Sequence, residues 1–186
     1  HVRSRRQRQM CIRDSMIVME DIYDDFVSSI TQAAKSIAVD NPWEDPGTLA
    51  PLSSTGAKER FTEQVKATVA EGATLLAGGE DYDGPGAWVR PVVLTDVKKG
   101  SRGYYEELFG PAFMVFKVSS EEEAIELAND TPFGLGSAIF SSDSARAEKV
   151  GSQIDSGMVY INTPEETREY LPFGGVKRSG LSLIHI

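Results

Sequence analysis

The sequence predicts an α/β domain in which helices flank a mostly parallel sheet. Short apolar runs alternate with segments whose apolar residues recur at three and four residues, the pattern of strands joined by crossover helices. Composition agrees: with 40% hydrophobic and 25% charged residues, the 186-residue chain has enough apolar material for one real core. No internal repeat or low-complexity body is present, and no apolar run reaches the roughly 18 residues a membrane span needs.

Taken in order, Ile17 to Met19 reads as a short strand, and Asp21 is placed to cap the helix after it. Ile22, Phe26, Ile30, Ala33 and Ile37 give that helix one apolar face. Asn41 to Pro46 breaks the pattern, because each proline lacks an N–H and restricts the residue before it. A second helix starts near Ser54 or Thr55, buries Ala57, Phe61, Val65 and Val69, and stops at Gly72. Thr74 to Ala77 is a strand, and Gly78 to Gly86 is a surface loop. Trp88 to Val97 contains a strand interrupted by Pro91, and Phe113 to Val118 is a stronger one. Ser120 and Glu123 have capping-box spacing at the head of a helix that continues through Ala128. Ser137 to Phe140 is a strand, residues 143–154 are a helix with Ala147, Val150 and Ile154 inward, and Met158 to Ile161 is the last strand.

The two ends differ in character from this body. His1 to Ser15 carries Arg3, Arg5, Arg6, Arg8 and Arg13 against one acid, Asp14, and Leu181 to Ile186 is short and mostly apolar. Leu181-Ser-Leu-Ile-His-Ile186 and Met10-Cys-Ile-Arg-Asp14 are encodable by one DNA element read in opposite orientations. That element resembles the transposon end of sequencing-library adapters. The expectation is therefore that residues 1–15 and 181–186 are adapter-derived and unpacked, and that 16–180 is the evolved domain.

Excluding the ends changes the chemistry. Cys11, His1 and His185 all lie in them, so Met16 to Gly180 has neither Cys nor His. Within that body a Ser-His-Asp triad, a Cys nucleophile, a disulfide and a Cys/His metal site are excluded, and no metal is expected. Removing five Arg and one Asp takes the formal net charge from -9 to -13. So acidic a surface argues against a nucleic-acid partner. Neither a GxGxxG nor a GxxxxGK[ST] phosphate cradle is present.

Three motifs remain: Tyr105-Glu-Glu-Leu-Phe-Gly-Pro111, Leu127-Ala-Asn-Asp-Thr-Pro-Phe-Gly-Leu135 and Leu171-Pro-Phe-Gly-Gly-Val-Lys-Arg-Ser-Gly180. Taken alone, the first is a turn into a buried strand, in which Gly110 allows unusual φ and Pro111 stiffens the entry. The third, taken alone, is a tight turn with a core aromatic and backbone drawn close at Gly174 and Gly175. The middle one reads as structural: Asn129 ends a helix, and Gly134 and Gly136 let the chain reverse. In this order, with Asp21-Ile-Tyr-Asp-Asp-Phe26 upstream, the three closely resemble the aldehyde dehydrogenase superfamily over essentially all of Met16 to Gly180. The segment corresponds to the C-terminal part of the catalytic domain. Gly157-Met-Val-Tyr-Ile-Asn162 and Leu171-Pro-Phe-Gly-Gly-Val176 look most like the succinate-semialdehyde branch.

The resemblance implies NAD or NADP as cofactor and a small-molecule aldehyde as substrate, in a cytoplasmic, homo-oligomeric parent enzyme without a membrane partner. It makes Glu107 and Phe109 the cofactor-binding pair, with the carboxylate accepting hydrogen bonds from the vicinal hydroxyls of the nicotinamide ribose and the ring packing beside the nicotinamide. It puts Phe173 in the wall of the aldehyde tunnel. Arg168 is a carboxylate contact for a semialdehyde acid on this reading, and an exposed loop residue on the plainer one. The family reaction runs through a Cys thioester that a Glu-activated water hydrolyses. The nucleophile precedes Met16 by six residues in the family, which lands on Met10 rather than Cys11, so the expectation is that no catalytic residue lies in this chain and that the chain alone is inactive. Two departures, Ala50 where the family has Gly before Pro51, and Arg102-Gly-Tyr-Tyr105 leading into the Glu pair, loosen assignment to one substrate. Other aldehydes, an acyl phosphate, and a non-catalytic binding or structural paralogue remain open on these residues.

Overall fold

A computed structural model describes residues 15–180, apart from 42, 46–47, 81, 83–85 and 165–170. Residues 1–14, residues 181–186 and Arg168 lie outside the described residues; Ser15, assigned with the Arg-rich start, instead opens the first strand, because its backbone pairs with Met114. The chain divides into two compact units, one running to Val118 and the other starting at Ser119.

The first unit is a three-layer sandwich. Its strands are β1 (Ser15–Met19), β2 (Thr74–Ala77), β3 (Val92–Thr95) and β4 (Ala112–Val118), in the order β1-β4-β3-β2. β4 is parallel to β1 and to β3, and β2 runs antiparallel to β3. β1 begins at Ser15, which pairs with Met114, so the strand starts two residues before the apolar run that announces it. Every residue of β3 is buried, as befits a strand covered on both faces. Alternation sorts them: Val92 and Leu94 join Phe61, Val65, Leu108, Ala112 and Met114 on one side. Val93 joins Val18, Ala34, Ala77 and Val115 on the other. Pro91 sits just outside β3, where it costs the ladder no donor.

Helix α1 (Glu20–Ser36) covers the Val93 side. Asp21 does not cap it. The N-cap is Met19, which makes no side-chain cap bond, and Asp21 sits inside the first turn, where its charge favours the helix dipole. The apolar face is also rotated from expectation. Ile22 (55% exposed), Ala33 and Ile37 face outward, while Tyr23, Phe26, Val27, Ile30 and Ala34 meet the sheet. Helix α2 (Thr55–Ala70) covers the other side. The Ser54 hydroxyl accepts from the Ala57 amide, and Gly72, at φ 108°, takes the left-handed turn that closes the helix. A further one-turn helix, α3 (Arg102–Tyr105), precedes the motif leading into β4.

The second unit contains α4 (Glu121–Asn129), β5 (Gly136–Ile139), α5 (Ser144–Gly151), β6 (Met158–Ile161) and a 3-10 turn (Lys177–Gly180). β5 and β6 pair in parallel through α5, giving one βαβ unit. The parallel sheet of the sequence reading is thus carried in two pieces. The Ser120 hydroxyl caps α4 as its spacing predicts, but the Glu123 carboxylate returns to the amide and hydroxyl of Ser119, one residue before the capping-box target. Asp143 caps α5, which ends at Gly151 rather than at residue 154. Ala147 and Gly151 lie one turn apart on its inner face; a Cβ on Gly151 would meet Val159 at 3.0 Å and Ile139 at 3.2 Å.

Candidate functional site

The segment 106–111 runs from the end of α3 to the start of β4, and helix α2 holds it from below. Leu108 is wholly buried and fixes its depth. The neighbours of Leu108 are left nearer the surface: Glu107 half-buried and Phe109 57% exposed. The two residues singled out by sequence are therefore brought together on one short turn.

Three positions of α2 and the residue just past its end build the support. Phe61 lies under Gly110, where an added Cβ would come within 2.4 Å of the ring. The Gln64 side-chain amide donates to the Glu106 carboxylate at 2.8 Å and to the Glu107 carbonyl at 3.3 Å. Thr68 lies under Gly103, where a Cβ would meet its hydroxyl at 2.5 Å, and that hydroxyl donates to the Gln64 carbonyl. Just past the helix, the Glu71 carboxylate accepts from the Arg102 amide at 2.6 Å. The Arg102 guanidinium donates to Glu106 at 2.8 Å. Together the Gln64 amide, first, and Arg102 hold the Glu106 carboxyl below its ordinary pKa, and the same hydrogen bond raises that of Arg102.

What this turn offers chemically is a half-buried carboxylate and, two residues on, an exposed aromatic side chain. A carboxylate is acceptor-only and suits a vicinal diol; the ring suits a flat heterocycle. A cavity of about 420 Å³ in the same unit, lined by Ala34, Lys35, Ile37, Leu75, Leu76, Ala77, Gly78, Glu80, Arg90 and Pro91, includes neither residue. No group of His, Cys, Asp and Glu suited to a metal occurs among the described residues. No described helix is long and apolar enough to cross a membrane.

Phe173 belongs to the second unit and is 46% exposed. Its loop is fixed by backbone. The Gly134 carbonyl accepts from the Gly157 amide at 3.0 Å and from the Val176 amide at 2.9 Å, and the Pro132 carbonyl accepts from Arg178. A Cβ on Gly157 would lie 2.0 Å from the Gly174 carbonyl oxygen. Gly134 serves close approach rather than reversal: its φ is not positive, and a Cβ there would meet the Asp155 carbonyl at 2.6 Å. Asn129 both ends α4 and ties it to the connection between α5 and β6, donating to the Gln153 carbonyl and accepting from the Asp155 amide. Lys177 adds a bond to the Asn129 carbonyl. Gln64 and Lys177 were invisible as site supports in the sequence, since their partners lie more than forty residues away.

Comparison with known proteins shows what the chain is similar to. The model of the aldehyde dehydrogenase family matches residues 3–184. An NADP(+) succinate-semialdehyde dehydrogenase from Deinococcus radiodurans is 46% identical over 173 residues, covering 92% of this chain and 36% of that protein. A betaine aldehyde dehydrogenase from Beta vulgaris is 36% identical over 175 residues, covering 92% of this chain and 35% of its own length. The crystal structure of succinic semialdehyde dehydrogenase from Streptococcus pyogenes with NADP+ superposes with a TM-score of 0.87 at 43% identity, over 90% of this chain and 37% of that one. The chain thus spans little more than a third of the length of these relatives.

Proposed function

The chain belongs to the aldehyde dehydrogenase family, and from that premise we propose that it forms part of the catalytic domain of an enzyme oxidising succinate semialdehyde, with NADP as the favoured coenzyme. Support for the substrate and coenzyme comes from the names of its relatives, among which NADP(+) succinate-semialdehyde dehydrogenases recur from 46% identity downward. The observation that carries the reading is the turn at 106–111, where a half-buried Glu107 and an exposed Phe109 flank the buried Leu108.

In this reading Glu107 accepts the two hydroxyls of the nicotinamide ribose, and Phe109 limits how the nicotinamide ring can lie. The coenzyme supplies the hydride acceptor. The residues of this chain orient it, since hydride transfer depends steeply on the placement of donor and acceptor. Phe173 forms part of the aldehyde-binding wall, and Arg168 is a candidate partner for the distal carboxylate of a semialdehyde acid. Oxidation proceeds through a Cys thioester whose thiol and general base come from elsewhere in the parent enzyme, which we take to be a cytoplasmic homo-oligomer.

The test uses the full-length enzyme carrying this segment. Glu107→Gln keeps the shape but replaces a charge-assisted acceptor by a neutral amide. Dehydrogenase turnover should fall roughly tenfold or more, about 1.4 kcal/mol of barrier. Esterase activity toward an activated ester needs no hydride transfer and should change much less. Equal loss of both activities with a lowered melting temperature would make Glu107 a turn residue only.

A further inference from the structure

We infer that Gln64 is a positioning residue for the coenzyme grip: its side-chain amide holds the Glu107 carbonyl and the Glu106 carboxylate and so helps aim the Glu107 carboxylate and the Phe109 ring. The inference rests on the coenzyme role proposed for Glu107 and adds what fixes that side chain in place.

The argument starts from the lack of regular structure where the grip sits. α3 ends at Tyr105 and β4 begins at Ala112, so 106–111 belongs to no continuous helix or strand. Leu108 sets how deep this segment lies. One buried side chain fixes depth, however, and leaves rotation about the chain direction to be set by a second point. Gln64 provides that point. Its two N–H groups take the Glu107 carbonyl at 3.3 Å and the Glu106 carboxylate at 2.8 Å, tying two successive residues to one rigid helix. The Arg102 guanidinium holds the same carboxylate from the other direction at 2.8 Å.

The residue type matters. A side-chain amide nitrogen carries two hydrogens, so it can serve a carbonyl and a carboxylate at once, and it does so without adding a charge. A glutamate at 64 would have nothing to donate and would repel Glu106. Gln64 need not touch the coenzyme. It acts through the peptide that carries Glu107, and a displacement of that peptide by a fraction of an ångström is enough to misplace a reacting ring.

The experiment compares Gln64→Leu, Glu107→Gln and the double variant in the full-length enzyme, by dehydrogenase turnover, coenzyme KM and esterase rate. Gln64→Leu should lower dehydrogenase turnover roughly three- to tenfold and raise the coenzyme KM, with the esterase rate within about twofold of wild type. The double variant should be about as slow as Glu107→Gln alone, because both changes act on one grip. If Gln64→Leu does not fold, Gln64→Glu, which keeps the side-chain volume, is judged by the same criterion. A normal dehydrogenase-to-esterase ratio in the Gln64 variant, beside a lowered ratio in Glu107→Gln, overturns the role of Gln64 and leaves that of Glu107 standing. A normal ratio in both overturns the coenzyme reading itself, and equal loss of both rates in Gln64→Leu reduces Gln64 to general support.

Discussion

The turn at 106–111 and the loop at 171–180 both present a phenylalanine, yet they are held in opposite ways. Beneath the first lie side chains: the Phe61 ring under Gly110, the Gln64 amide on Glu106 and Glu107, and Thr68 under Gly103. Beneath the second lies mainly backbone: the Gly134 carbonyl shared by two amides, and the Gly174 carbonyl pressed against Gly157, with the Ser179 hydroxyl and the Lys177 ammonium as side-chain additions. A side-chain support yields to substitution in steps, because each contact can be trimmed and refilled. A backbone support has no such latitude. The two phenylalanines should therefore tolerate change in their surroundings to different degrees.

The largest effect belongs to the backbone-held loop. Gly157→Ala puts a Cβ where the Gly174 carbonyl oxygen stands, at 2.0 Å, and no rotamer relieves it. We expect a loss of about 3 kcal/mol or more in denaturant unfolding, at the upper end of what overpacking costs. Protection of the Val176 and Arg178 amides from hydrogen exchange should fall with it. Near-wild-type stability would mean that the loop is not locked by backbone contact.

Gly110→Ala is the counterpart in the side-chain-held turn. Its Cβ would meet the Phe61 ring at 2.4 Å, and we expect a cost of about 1–3 kcal/mol. Here a partner can give way. Adding Phe61→Leu should make the double variant more stable than the sum of the single losses, by about 0.5 kcal/mol or more. Strict additivity would erase the distinction between the two regions, since it would show that Phe61 is not the obstacle.

The smallest effect is electrostatic. The Gln64 amide and Arg102 depress the pKa of Glu106, so the folded state binds this proton less readily than the unfolded chain. The stabilisation is present above the unfolded carboxylate pKa and is lost as pH falls through the lower, folded value. Because the Glu106 side chain is 44% exposed, solvent screens most of the effect. Replacing Gln64 by Leu should raise the Glu106 titration midpoint in an NMR pH series. Its staying put would assign the depression to Arg102 alone.

The sequence showed some of this and hid some. The turn into β4 was readable because Gly110 and Pro111 stand directly before an apolar run, whereas Glu107 and Phe109 stood out only through the family resemblance and the burial of Leu108 was not read at all. The strands were found in their places, since β3 and β4 are too apolar to lie anywhere but inside. The inner face of α1 was misjudged because Ile22 and Tyr23 begin two stripes about 100° apart, and only the surface of Val18, Val93 and Val115 selects the one led by Tyr23. α3 was missed for a related reason. Four residues with a glycine among them have no helical tendency of their own, and α3 stands because Glu71 takes the Arg102 amide and Thr68 fits under Gly103. The amide of Gln64 was unreadable because a polar residue on a helix carries no sign of which distant backbone it will meet.

The spacing of the supports on α2 has a consequence for how such a protein can change over generations. Phe61, Gln64, Thr68 and Glu71 fall within eleven residues, about 15 Å along the helix axis, and each meets a different point of residues 102–110. Inserting or deleting one residue anywhere between them would turn every later contact by about 100°. Point substitutions can visit these positions singly, but changes of length cannot pass through this stretch, and insertions should collect instead in loops such as the one between β2 and β3.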